Sequence, residues 1–226
     1  MSKSKKLQSS GVDWGQVIVD ALREETKEEK NIPIEKAARL VKERIKGNRK
    51  GLEEPNYLHS FRVRDLVMKF SLVDDPNSDL FVAALLHDIV EDGGVSFDEL
   101  KDMDFSDRTI ELVKLCTHPM DIKNKTERWM RMVNRLIEAN DHDAWRIKVA
   151  DLADNLKQSK GLTLENREFM IDVKAPIFLR LAILVPDSPY SVLEKEIEKQ
   201  KKELAEKSES EITFLPKYEN PENTVI

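Results

Sequence analysis

His87 and Asp88 stand side by side in the run LLHDIVEDGG, and Glu91 and Asp92 follow them closely. Upstream, YLHSF supplies His59; downstream, KVADLADNL supplies Asp151. Imidazole nitrogen and carboxylate oxygen are the donors that a hard or borderline divalent cation takes. His59, His87, Asp88 and Asp151 together would leave coordination positions open for water and a phosphate oxygen, as a catalytic metal site requires. A lone helical histidine is more often a core or surface residue, and a lone aspartate more often a cap or an arginine partner. The combination is far harder to explain that way, and it points to metal-assisted hydrolysis of a phosphate ester.

Glu91 lies four residues after His87, and Asp92 four after Asp88. On a continuous helix these side chains share one edge. A carboxylate beside the attacking water can take its proton and later return one to the leaving group. Acids at a helix C-terminus are mildly disfavoured by the helix dipole, which weighs against reading the pair as ordinary surface charge. Asn155 shares a helix face with Asp151 and can either touch substrate or orient a ligand from behind. Arg49, Lys50, Arg62, Lys148 and Lys157 are the cations placed to meet phosphate, although each taken alone is more often a solvated charge. Asp154 is expected on the flank, in solvent. His118 and His142 lack partner spacing and stay outside the site. Cys116, Trp129 and Trp145 read as packing residues.

The elements that position these groups are helices. LFVAALLHDIV is apolar nearly all round, so a helix over about 78–91 belongs at the centre of a bundle. Polar groups at its end are costly unless something satisfies them. Asp13 can cap a helix with Trp14, Val17, Ile18, Ala21 and Leu22 on its inner side, and Pro33 starts another that Gly47 ends. A helix over 57–73 turns Leu58, Phe61, Leu66, Val67 and Phe70 inward. Ser96 and Glu99 form a capping box, and Ser106 starts the next helix. Further helices are expected over 126–139, 142–158 and 164–184, the last kinked or broken by Pro176. A charged helix over 190–207 carries a thin stripe at Leu193, Ile197 and Leu204, and a loose tail follows from Ser208. Strand-like alternation is scarce, so the fold class is all-α.

The chain has 226 residues, which suits one domain with appendages: a lead-in and helix over 1–34, a core domain over 35–185, and a charged helix and tail over 186–226. One cysteine excludes an internal disulfide and a cysteine zinc cluster, in keeping with a reducing cytoplasm. The net charge of -6 gives no reason to expect nucleic-acid binding. No apolar run suits a membrane span or a signal peptide. The chain is expected to be a monomer or a homodimer.

The order His59, His87-Asp88, Asp151 resembles the HD-domain metal-dependent phosphohydrolases, and the expected fold is their compact multi-helix bundle. Within them, HDIVEDGG followed by KVADLADNL looks like the hydrolase domain of the RelA/SpoT family and its stand-alone small alarmone hydrolases. The resemblance covers roughly residues 35–185. It implies removal of the 3′-pyrophosphate from guanosine tetra- or pentaphosphate, usually with Mn2+; Mg2+, Fe2+, Co2+ and Zn2+ are the alternatives. It implies His59, His87, Asp88 and Asp151 as metal ligands, Glu91 and Asp92 as the groups that activate water, Asn155 on the nucleotide, and Arg49-Lys50 beside the base. The approach loop departs from the family pattern: Asn56 separates Pro55 from Tyr57, and Ser60 follows His59 where the family carries proline. Two other readings therefore stay open. One is a phosphohydrolase of the same chemistry acting on another nucleotide or phosphorylated metabolite, and the other is a non-catalytic nucleotide sensor.

Overall fold

The computed structural model describes residues 32–213 apart from 186, with side chains as far as 206. The helix expected after Asp13 lies outside the described residues. Among those residues the regular structure is helical, apart from an isolated bridge between Asn48 and Pro55.

Helix α1 (Pro33–Arg44) begins on its proline, whose missing N–H is no loss in a first turn. Gly47 follows it at φ +76°, a conformation that favours glycine. Helix α2 is Leu58–Phe70, and its fully buried line is His59, Ser60, Val63 and Val67. Of the inner residues expected there, Leu58, Phe61, Leu66 and Phe70 are only half-buried. The inward face is rotated so that a histidine, not a leucine, enters the core.

Helix α3 (Asp79–Leu86) is the apolar centre, and every residue after Asp79 is buried. Burying each of its leucine, valine and phenylalanine side chains contributes roughly 1.5–3 kcal/mol. It packs on α1, on α2, on α5 (Asp107–Cys116) and on α7 (His142–Lys157). The expected helix over 78–91 thus stops early, and residues 87–93 form successive turns. His87 contributes to that ending: its Nδ1–H donates to the Ala84 carbonyl at 2.9 Å, so a side chain takes up a last-turn acceptor. Gly94, at φ +63°, carries the chain away.

The short α4 (Phe97–Asp102) has the expected Ser96–Glu99 capping box, and Ser106 caps α5. Helix α6 (Lys125–Ala139) leads through a left-handed Asn140 into α7, the most buried long helix. The Trp145 indole N–H donates to the Leu136 carbonyl at 2.8 Å, which makes its burial affordable.

The helix expected over 164–184 is divided. Helix α8 (Leu164–Glu168) runs into a π-helical segment, Phe169–Lys174, and then α9 (Ala175–Leu184). The interruption falls before Pro176, because a wider turn, in which the Ala175 N–H reaches the Met170 carbonyl, relieves the crowding a proline imposes upstream. Helix α10 (Tyr190–Thr213) extends past the expected end at 207 and takes in the start of the expected loose tail. It packs on α7 and α9, burying Leu193, Ile197 and Gln200.

Asp141 ties three segments together. Its carboxylate caps α7 and accepts both Nη groups of Arg108 on α5. Burial pushes the Asp141 carboxyl up, but Arg108 outweighs it and holds it below the usual range. Its contribution is therefore present above the unfolded value and is lost as pH falls through the folded one. Asp141→Ala is expected to cost about 1–2 kcal/mol in urea unfolding at neutral pH. The difference from the parent chain should narrow below about pH 4.

Candidate active site and metal cluster

Helices α2, α3 and α7 meet where the core turns polar. His59 enters from α2, His87 and Asp88 lie just past the end of α3, and Asp151 and Asp154 project from α7. His59, His87 and Asp88 each offer one ligand atom, all within 4.8 Å of one another. Asp151 Oδ1 lies 3.1 Å from His59 Nε2 and 3.8 Å from His87 Nε2. The imidazole rings stand edge to face, 5.2 Å apart.

Both imidazoles are held from behind. His59 Nδ1–H donates to Asp154 Oδ2 at 2.8 Å, and His87 Nδ1–H to the Ala84 carbonyl. Each Nε2 thereby faces the carboxylates. His87 Nε2 is buried and makes no hydrogen bond, although Asp88 Oδ2 is only 3.1 Å away. A neutral imidazole would aim a lone pair at carboxylate oxygens there, which is repulsive unless a positive charge intervenes. Protonation is one solution: burial pushes His87 down, but the Asp88 and Asp151 charges win and hold it up at about 10. A divalent cation is the other, and the donor set of imidazole nitrogen and carboxylate oxygen suits it. Asp88 and Asp151 both stay well below the usual carboxylate range, despite burial, because of His87 and Lys148 respectively.

Asp154, expected in solvent, is instead buried and central. Arg62 donates to it through Nε at 2.7 Å and Nη2 at 3.1 Å, and to Glu54 through Nη1 at 2.7 Å. The chain Glu54–Arg62–Asp154–His59 fixes the tautomer and plane of a candidate ligand. Its signal in the sequence was faint: Asp154 is three residues after Asp151 on an apolar helix, and only the partner on α2 shows which way it turns.

Because α3 stops at Leu86, Glu91 and Asp92 do not share a helix edge. Glu91 faces His118, which sequence spacing left outside the site. The His118 backbone N–H and ring Nδ1 both lie 2.8 Å from Glu91 Oε1. Burial raises the Glu91 carboxyl, but His118 outweighs it and brings it below the usual range. Asp92 accepts from Asn56 Nδ2 at 3.2 Å, and burial with the Asp88 charge holds it above the usual range. The two acids are thus biased toward opposite protonation states.

Asp88, Glu91, Asp92 and Asp151 border a cavity of about 320 Å³. Lys148 and Lys174 also line it. Lys148 is buried with its ammonium on Asp151 Oδ2. Asn155 donates to Asp151 Oδ1 at 2.5 Å and accepts from Arg49 Nη2 at 2.6 Å, so it bridges the cluster to the approach loop. That loop is fixed by a backbone contact: a Cβ on Gly51 would lie 2.5 Å from the Gly161 Cα, and one on Gly161 would lie 2.2 Å from the Lys50 carbonyl oxygen. Lys50 also lines the main cavity and, with Arg49, a neighbouring hollow. Trp129, expected as packing, is buried and borders the main cavity. Cys116 is buried as expected.

Residues 56–156 match the family model described as HD domain, and this span contains every histidine and acid of the cluster. The chain is similar to the guanosine-3′,5′-bis(diphosphate) 3′-pyrophosphohydrolase of Aquifex aeolicus (strain VF5), at 26% identity over 157 residues. That match covers 66% of this chain and 22% of the relative, so the chain spans about a fifth of the relative's length. A solved structure, described as a metazoan ortholog of SpoT that hydrolyzes ppGpp and plays a role in starvation responses, superposes with TM-score 0.65 at 23% identity. It covers 74% of this chain and 95% of the other, and the likeness is one of fold.

If Asp154 orients His59, Asp154→Ala should weaken divalent-cation affinity about 10–100-fold, measured with Mn2+ by titration calorimetry. An unchanged affinity would remove Asp154 from that role.

Proposed function

We propose that the chain is a metal-dependent phosphohydrolase acting on a small phosphorylated nucleotide, with guanosine 3′,5′-bis(diphosphate) as the first candidate. The observation that carries this reading is His87 Nε2, a buried nitrogen with no hydrogen-bond partner, aimed with His59 Nε2 at Asp88 and Asp151. The named activity of the Aquifex relative supports the choice of substrate.

His59, His87, Asp88 and Asp151 would hold the cation, which we take to be Mn2+. Once bound, it would lower the pKa of water and offset charge on the phosphoryl oxygens. Glu91, kept ionised by His118, is suited to accept the proton of the attacking water. Asp92, whose carboxyl is held up, is suited to return a proton to the leaving group. Asn155 and Lys148 both engage Asp151, and Arg49 and Lys50 stand over the adjoining hollow, where a nucleoside would rest. A second reading, another nucleotide or phosphorylated metabolite, is favoured by Asn56: the residue that interrupts the family's loop pattern binds Asp92 directly.

With Mn2+ and a panel of guanosine and adenosine phosphates, guanosine 3′,5′-bis(diphosphate) should yield GDP and pyrophosphate. Cleavage confined to other members of the panel would discard that substrate and keep the chemistry. Asp88→Ala should abolish bound metal and turnover together. Glu91→Gln should retain metal while turnover drops about a hundredfold or more; full activity in that variant would refute the proton-transfer role.

A further inference from the structure

The loop that joins α1 to α2 closes on itself at its base. The Arg49 N–H donates to the Glu54 carbonyl and the Asn56 N–H to the Gly47 carbonyl, each at 2.9 Å. Its tip, 50–52, has no such brace from a side chain: among the described residues no side-chain hydrogen bond or ion pair engages it. The tip rests instead on the single 3-10 turn Ser159–Gly161 that follows α7. Gly51 takes φ +69°, which favours glycine on its own account. Gly161 has no positive φ, so what calls for glycine there is space. A Cβ on it would lie 2.2 Å from the Lys50 carbonyl oxygen and 2.7 Å from the Gly51 Cα.

The same turn shapes the hollow of about 310 Å³ beside the main cavity. Lys50 lines that hollow from the loop tip, and Gln158 and Leu162 line it from either end of the turn. The turn is itself anchored. Ser159 is fully buried, and its hydroxyl donates to the side-chain oxygen of Gln200 on α10, which is fully buried as well. The Ser159 carbonyl accepts from the Leu162 N–H at 2.9 Å. The loop tip therefore meets backbone that is held from behind and has no rotamer with which to yield.

We infer that Gly161 is a positioning residue for the substrate: it seats the loop tip against a turn fixed by α10, and that seat sets how tightly the hollow takes the nucleoside portion. This inference rests on the phosphohydrolase reading above. It assigns Gly161 to affinity and not to bond cleavage, because turn and tip carry none of His59, His87, Asp88 and Asp151. Arg49 stands at the closed base of the loop, so its bond to Asn155 does not depend on the tip.

Gly161→Ala places a methyl group against the Lys50 carbonyl, and the tip has to move about 1 Å outward to regain van der Waals distance. With Mn2+ and the bis(diphosphate), or the panel member cleaved in its place, KM should rise about tenfold or more. The value of kcat and the Mn2+ affinity should stay within about threefold of the parent chain, the pattern of lost substrate binding. Hydrogen exchange gives a readout without substrate: amides of 48–56 should exchange faster in the variant while those of α3 keep their protection. Faster exchange in α3 as well would mark a folding defect, and Ser159→Ala then carries the test. That second variant frees the turn from α10 without adding an atom and should raise KM in the same sense at constant kcat. Turnover of the nucleotide by the parent chain with KM indifferent to both variants, or a kcat loss at constant KM, would overturn the inference alone. Turnover of no panel member by the parent chain would overturn the phosphohydrolase reading and the inference together.

Discussion

Buried charge at the junction of α2, α3 and α7 is the constraint on which the rest of the structure depends. His59, His87 and Asp151 are buried and Asp88 half-buried where these three helices meet, and isolated charges there cost many times what a single apolar contact returns. Each is therefore tied to a neighbour. Lys148 answers Asp151, Asp154 answers His59, and Ala84 answers the far side of His87. Only the faces turned toward one another are left, and they present imidazole nitrogen and carboxylate oxygen, the donors a divalent cation would take.

The apolar helices supply the counterweight. Helix α3 is buried on nearly every side, and α7 buries Trp145, Ile147, Val149 and Leu156 around its two aspartates. A framework this apolar can hold several desolvated polar groups in fixed positions. Such fixing is what lets a cluster act without reorganising when charge develops.

Much of the arrangement was legible in the sequence, for identifiable reasons. His59, His87, Asp88 and Asp151 were legible because polar residues interrupt apolar helical runs, and the helix caps at Ser96 and Ser106 because capping is local. Asp154 and His118 were not, because their significance lies in partners on other segments: Arg62 is 92 residues from Asp154, and Glu91 is 27 from His118. The continuous helix expected over 78–91 failed because periodicity does not register a side chain taking a backbone acceptor, as His87 does. The interruption expected at Pro176 is there, just upstream of it, because a proline crowds the turn that precedes it.

The last helix carries a further consequence. Gln200 is wholly buried, and its side-chain oxygen accepts from Ser159 at 2.9 Å and from Arg167 at 2.5 Å. Arg167 stands on α8, at the foot of the segment that forms one wall of the cavity, and Glu203 meets it as well. Shortening the chain after Val185 would strand a buried guanidinium without an acceptor and expose the α7 surface that Leu193 and Ile197 cover. The terminal helix is thus a buttress for the cavity wall, and a minimal version of this fold has to extend through Glu203.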